Sequence, residues 1–245
     1  MLSTNSKKRT EDPVIKRPLS KGGGGATAAE PGEKVLRVPQ QSRSRASYER
    51  MLDAAEKLLR ERGSDEVTLT EVGKRGKVSI GSIYCRFDSK DDLIRAVQQR
   101  VSAAISEEQS GTLTRLSRHA ASLEGLMRML VDELAESLKR HASILRPMML
   151  RANQDPVIGS MGRSAHDAVA RVAVDAMLRF SDDFSHSEKE RSANAAYSII
   201  YAALARFLGL GSSMESSEQG DWEDLKFDLA SMATAYLTTG KDRAR

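Results

Sequence analysis

From Thr68 to Lys90 the chain reads TLTEVGKRGKVSIGSIYCRFDSK, a run in which hydroxyl, aromatic, small and cationic side chains fall close together. Ser79 is an N-cap candidate for a helix over Ile80 to Phe87. At 100° per residue, Ile83 and Phe87 share the inner side of that helix with Ile80 near the edge. Gly81, Ser82 and Cys85 point outward, flanked by Tyr84 and Arg86. An outer face of this kind is narrow, donates and accepts hydrogen bonds, and can sink into the major groove of duplex DNA. Lys74, Arg75, Lys77, Arg86 and Lys90 surround it, against one acid, Asp88, over residues 72–90. Taken alone, the stretch also reads as an ordinary solvated helical hairpin.

The elements that must position this face are legible on both sides. Thr68 and Glu71 have the spacing of a capping box, which opens a helix running to about Arg75 and ended by the turn at Gly76-Lys77. Residues 46–62 place Leu52, Ala55, Leu58 and Leu59 on one stripe, and Gly63 supplies the stop. Arg45 and Ser47, at the start of that helix, are placed either for a phosphate or for solvent. Ser89 caps a further helix whose Leu93, Ile94, Val97 and Val101 face inward. It is expected to act as a bridging helix over residues 91–109, with Ile105 reaching toward the C-terminal domain.

Residues 45–97 resemble the N-terminal domain of the TetR family of bacterial regulators. The resemblance rests on RMLDAAEKLLRERG, TEVGKRG, VSIGSIYCRF and SKDDLIRAV in that order. It implies a DNA-binding domain over residues 45–90 and a homodimer on a palindromic operator. The expected DNA-facing set is Arg45, Ser47, Thr68, Lys77, Ser79, Ile80, Gly81, Ser82, Tyr84, Cys85, Arg86 and Lys90. Arg86 and Lys90 are assigned to phosphates, and Ser82 and Tyr84 to base edges. The chain departs from the family pattern at Gly73, usually alanine, at Lys77, usually glycine, and at Cys85, often aromatic. The turn glycine is therefore expected to have moved to Gly76.

Composition bounds the remainder. A chain of 245 residues with 40% apolar content can bury a core, and its 4% aromatic content with abundant Ala and Leu points to an all-α fold. The net charge of +4 is uneven, because residues 1–45 hold ten Lys or Arg and four acids. Pro13, Pro18, Pro31, Pro39 and the glycine run from Gly22 to Gly25 mark residues 1–44 as a disordered basic arm. It either tracks DNA or serves as a solubilising tail. The single cysteine, and the absence of an apolar run near ~20 residues or of a signal segment, lead to the expectation of a cytoplasmic protein without membrane contact.

Residues 110–240 read as a helical effector-binding and dimerisation domain. Leu123 to Leu138 carry a helical stripe, and residues 141–153 a shorter segment with Pro147. Asp155-Pro156 opens a helix toward Phe180, Ser187 with Glu190 is a second capping box, Gly209 is a stop, and Asp221 caps the last helix. The last two helices are apolar over more than one face, which suits pairing with a second copy. For a small, apolar effector the candidate lining is Leu126, Met127, Leu130, Leu134, Met148, Met149, Val169, Ala173, Met177, Tyr197 and Tyr201. Each of these also reads as plain core.

No constellation for catalysis stands out. His119, His141, His166 and His186 lack partners at helical spacing, the glycines form no phosphate loop, and Glu133 with Glu136 reads as a solvated pair. No enzyme activity, cofactor or metal is expected. The function implied is a repressor released by a small hydrophobic molecule, with a ligand-independent DNA-binding adaptor or architectural protein as the alternative.

Overall fold

The computed structural model describes residues 42–210 and 220–239. The arm up to Gln41 and the loop over 211–219 lie outside the described residues. Those described form α1 (Ser42–Arg62), α2 (Leu69–Gly76), α3 (Ile80–Tyr84), α4 (Lys90–His119), α5 (Leu123–Ala152), α6 (Pro156–Leu178), α7 (Lys189–Phe207) and α8 (Trp222–Thr239), with a 3-10 turn at Ser181–Asp183. No strand occurs among them.

Several starts and stops are where the residues put them. Thr68 accepts from Glu71 N at 3.2 Å while Glu71 accepts from Thr68 N at 2.9 Å, the reciprocal capping box. Ser79 and Ser89 accept from Ser82 N and Asp92 N. Asp155 Oδ1 accepts from Val157 N and Ile158 N ahead of Pro156. Asp221 Oδ1 accepts from Glu223 N and Asp224 N, and Gly209 leaves α7 with φ 61.

Other boundaries differ from expectation. The first helix opens at Ser42, inside the span assigned to the arm, because Arg86 holds Ser44 through its carbonyl and hydroxyl oxygens. Regular α3 stops at Tyr84 rather than Phe87, as Arg86 N turns to Ile83 O and tightens the last turn. The bridging helix passes through Gly111 and ends at His119. A glycine inside a helix costs only about 1 kcal/mol relative to alanine, and buried Gln109 and Leu113 on either side outweigh it. Pro147 likewise sits inside a single continuous α5, where it is buried. Regular α7 starts at Lys189, with Glu188 rather than Ser187 at the N-cap position.

Two apolar cores result. One is built from α5, α6, α7 and α8, with Tyr197, Met127, Leu130 and Leu134 fully enclosed. The other joins α1 to α4 around Phe87, Ile83, Leu59 and Leu93, with Tyr48 stacked on Phe87 at 5.7 Å. This second core also takes in Ile144 and Met148 of α5 and Ile158 of α6. The core of α1 to α4 thereby includes residues from well beyond residue 110.

Candidate nucleic-acid interface and ligand cavity

α3 buries Ile83 and is succeeded by buried Phe87, which leaves Ile80, Gly81, Tyr84 and Cys85 on the surface. Tyr84 is 58% exposed. The hydroxyls of Ser79 and Ser82 lie 2.8 Å apart, so the start of the helix presents a paired donor and acceptor. A Cβ on Gly81 would approach only Ser79 Oγ, at 4.0 Å, so nothing inside the chain requires glycine there. The absent side chain keeps the outer face flat. Gly73 and Gly76 are different. A Cβ on Gly73 would meet Val78 O at 3.0 Å, and one on Gly76 would meet Arg50 O at 2.9 Å, so both glycines let backbone approach backbone. The left-handed residue of the turn is Lys77, with φ 52, and not Gly76 as the displaced glycine suggested.

The cations around α3 divide into two groups. Lys74, Lys77 and Arg45 are exposed. Arg75 is paired with Glu61, Arg86 donates to Ser82 O at 3.0 Å and to Ser44, and Lys90 Nζ donates to Asp65 O at 3.2 Å. The phosphate roles expected for Arg86 and Lys90 thus meet side chains already engaged in joining α3 and α4 to α1 and the loop after it. Thr68 is engaged in its capping box, and half-buried Ser47 stands near the start of α1.

Within the second part of the chain, α4, α5, α6 and α7 line a half-open cavity of about 430 Å³. Of the sequence candidates, Met148, Met149, Val169, Tyr197 and Tyr201 line it. Leu126, Met127, Leu130, Leu134, Ala173 and Met177 do not; they are closed into the core of α5 to α8. Ile105, expected to reach toward the C-terminal domain, lines the cavity too, and unforeseen are Gln98, Ser102, Ser106 and Gln109 of α4, and Gly159, Gly162, Arg163 and His166 of α6. The His166 ring packs against Tyr201 at 4.4 Å and Tyr197 at 5.5 Å, and burial pushes its pKa down. Burial also raises both tyrosines. Gln98 Nε2 donates to Ser102 Oγ at 2.7 Å, and Gln109 Nε2 to Ser137 Oγ at 3.0 Å. Among the described residues no group of His, Cys, Asp and Glu is arranged to hold a metal, and no helix is long and apolar enough to cross a membrane.

The sequence profile described as bacterial regulatory proteins, tetR family, matches residues 51–97, the segment that carries α2 and α3. The chain carries the DNA-binding domain of the TetR family. It is a DNA-binding transcriptional regulator. No curated relative matches by sequence. Among solved structures, the chain is similar to a Mesorhizobium loti protein assigned to the TetR family of transcriptional regulators, at 15% identity and TM-score 0.66, covering 81% of this chain and 98% of that one. A TetR transcription regulator from Haloarcula marismortui is 18% identical with TM-score 0.60, over 78% of this chain and 97% of that one. The fatty acid degradation regulator FadR from Bacillus halodurans is 14% identical with TM-score 0.57, over 81% and 97%. At such identities the likeness is one of fold, and it extends from the TetR-type domain through the helical part behind it.

Ion pairs cross from that helical part to the TetR-type domain. Arg151, at the end of α5, donates to Asp65 at 2.5 Å and to Asp91 at 2.7 Å. Arg95 of α4 reaches Asp155 at the start of α6. Residue spacing carries no signal for these pairs, since their partners lie 60 to 86 positions apart.

Proposed function

We propose that this regulator is a homodimeric repressor that holds a palindromic operator and releases it when a small molecule enters the cavity. The carrying observation is the position of the cavity. One of its walls is α4, whose N-terminal turns pack in the core of the DNA-reading domain while Gln98, Ser102, Ile105, Ser106 and Gln109 line the cavity. A ligand that favours a shifted α4 changes the separation of two reading helices that must meet half-sites ~34 Å apart. About 2.7 kcal/mol of differential binding suffices for a hundredfold loss of operator affinity.

In this reading Ser79, Ile80, Gly81, Ser82, Tyr84 and Cys85 face base edges, and Arg45, Ser47 and Lys77 meet the phosphates. Thr68, Arg86 and Lys90 orient the face. The second copy docks on α7 and α8, where Ile199, Phe227 and Met232 stand 59%, 58% and 66% exposed. The test is selection of bound DNA from a random pool, and then titration of a compound library into the complex. Release by compounds that bind the free protein supports the reading. Ternary complexes without mutual weakening contradict it and favour the ligand-independent adaptor.

A further inference from the structure

Among the described residues three buried side-chain atoms make no hydrogen bond within the protein: Gln98 Oε1, His166 Nδ1 and Arg151 Nε. The first two belong to residues that line the cavity. Gln98 is only 5% exposed, so its amide is held out of water with one edge unmatched. A buried polar group in that condition destabilises the free protein, and a ligand that completes its bonding recovers the loss.

The two groups stand at opposite ends. Arg95 is joined to Asp155, and Ser106 Oγ donates to Ala165 O at 3.4 Å, so α4 and α6 run side by side in the same direction. His166 is then level with Glu107, nine positions beyond Gln98, or roughly 13 Å along the helix at the α-helical rise. The α4 wall extends from Gln98 to Gln109, which draws the 430 Å³ out over roughly 16 Å. A chain or a narrow ring system suits a space of that length. Ile105, Leu145, Met148, Met149 and Ile158 make the stretch between apolar.

Charge narrows the choice further. No carboxylate lines the cavity among the described residues, so nothing there would neutralise a cation. Arg163 is the lone ionised group on the wall and it is exposed to water. A hydroxyl both donates and accepts, and so matches Gln98 whichever way its amide is turned and His166 in either neutral tautomer; a carboxylate only accepts.

We infer that the cavity takes an elongated, uncharged molecule with a hydrogen-bonding group at each end, one on Gln98 and one on His166, and an apolar body between them. This rests on the effector reading above and names the chemistry of that ligand. Decane-1,10-diol is a probe of about the right extended length, to be compared with decan-1-ol, decanoate and decyltrimethylammonium by calorimetry on the full chain. The diol should bind tightest. Gln98→Met and His166→Phe should each weaken it about tenfold, to the level of the monoalcohol, while decan-1-ol changes less. Without ligand, both variants should melt at or above the wild-type temperature, which sets them apart from variants that merely damage the fold. The inference is overturned if decanoate or the ammonium probe equals the diol, if neither variant alters diol binding, or if no probe binds. Should the diol bind as described yet leave operator affinity untouched, the ligand chemistry stands and the effector reading falls.

Discussion

Arg95 donates from Nε to Asp155 Oδ2 at 2.9 Å, while Oδ1 of the same carboxylate caps α6 through Val157 N at 3.0 Å and Ile158 N at 3.4 Å. One side chain thus starts the helix that walls the cavity and fastens it to the helix that carries the DNA-reading domain. Asp155→Ala should cost about 2–3 kcal/mol, from the lost cap together with the charge-assisted bond. Asp155→Asn retains the cap and should cost clearly less. Urea denaturation of the two variants decides it, and equal losses would mean that the cap contributes nothing.

Arg151 spans Asp65 in the loop after α1 and Asp91 in the first turn of α4. Arg151→Met should lower stability by about 1–2 kcal/mol, since both acids remain partly in water once unpaired. Its larger effect should be on communication: operator affinity without ligand stays within about threefold while the ligand-induced loss of affinity shrinks. Unchanged linkage in calorimetry would place the signal elsewhere.

Lys77 holds a left-handed conformation that glycine adopts without strain. Lys77→Gly should therefore stabilise the protein by up to about 1 kcal/mol. The same change removes a cation beside α3 and should reduce the salt dependence of DNA binding by about one per subunit. A variant less stable than the parent would show that the lysine side chain does more for the turn than its backbone costs.

Tyr84 and Arg86 should separate reading from positioning. Tyr84→Ala alters an exposed side chain and should leave the melting temperature nearly unchanged while cutting specific operator affinity about tenfold or more, with random DNA spared. Arg86→Ala removes the bonds to Ser44 and Ser82 and should lower stability as well as binding to every sequence. Gel-shift titrations on specific and random duplexes, with thermal melts, check both. The assignment fails if Arg86→Ala changes sequence preference at full stability.

Glu71 gives the acid response a defined window. The Arg62 guanidinium, and after it the Thr68 hydroxyl and backbone, holds its carboxyl down at about 2, from an ordinary 4.5. The folded state favours the ionised form, so the capping-box contribution is present in full above pH 4.5 and is lost as pH falls toward 2. Glu71→Gln should flatten the stability profile between those values. Melts across that range with an acid slope equal to the parent's would contradict the assignment.

The DNA-reading domain was legible because its information is local. The Thr68–Glu71 box, the Ser79 cap and the inward pair Ile83 and Phe87 each lie within eight residues of their partners. The cavity was much less so. Helical periodicity tells which side of α5 is buried, and Leu126, Leu130 and Leu134 are indeed buried, but it does not tell whether a buried side meets another side chain or an opening. Gln98 and Gln109 went unnoticed because a polar residue on a helix reads as solvent-facing until the neighbouring helices are placed. The ends expected at 109 and 141 fail for the opposite reason: Gly111 and Pro147 are breakers by local propensity, overruled by packing along α4 and α5.

Ile144 and Met148 of α5 and Ile158 of α6 complete the core that α1 to α4 share. The reading head is accordingly no detachable cartridge. Cut after His119, it would expose the apolar seat those three residues fill, and transplanted onto a foreign sensory half it would bring its sequence preference without its floor. Chimeras meant to redirect this regulator to a new operator should exchange the surface of α3 and leave the joint of α1 and α4 with α5 and α6 intact.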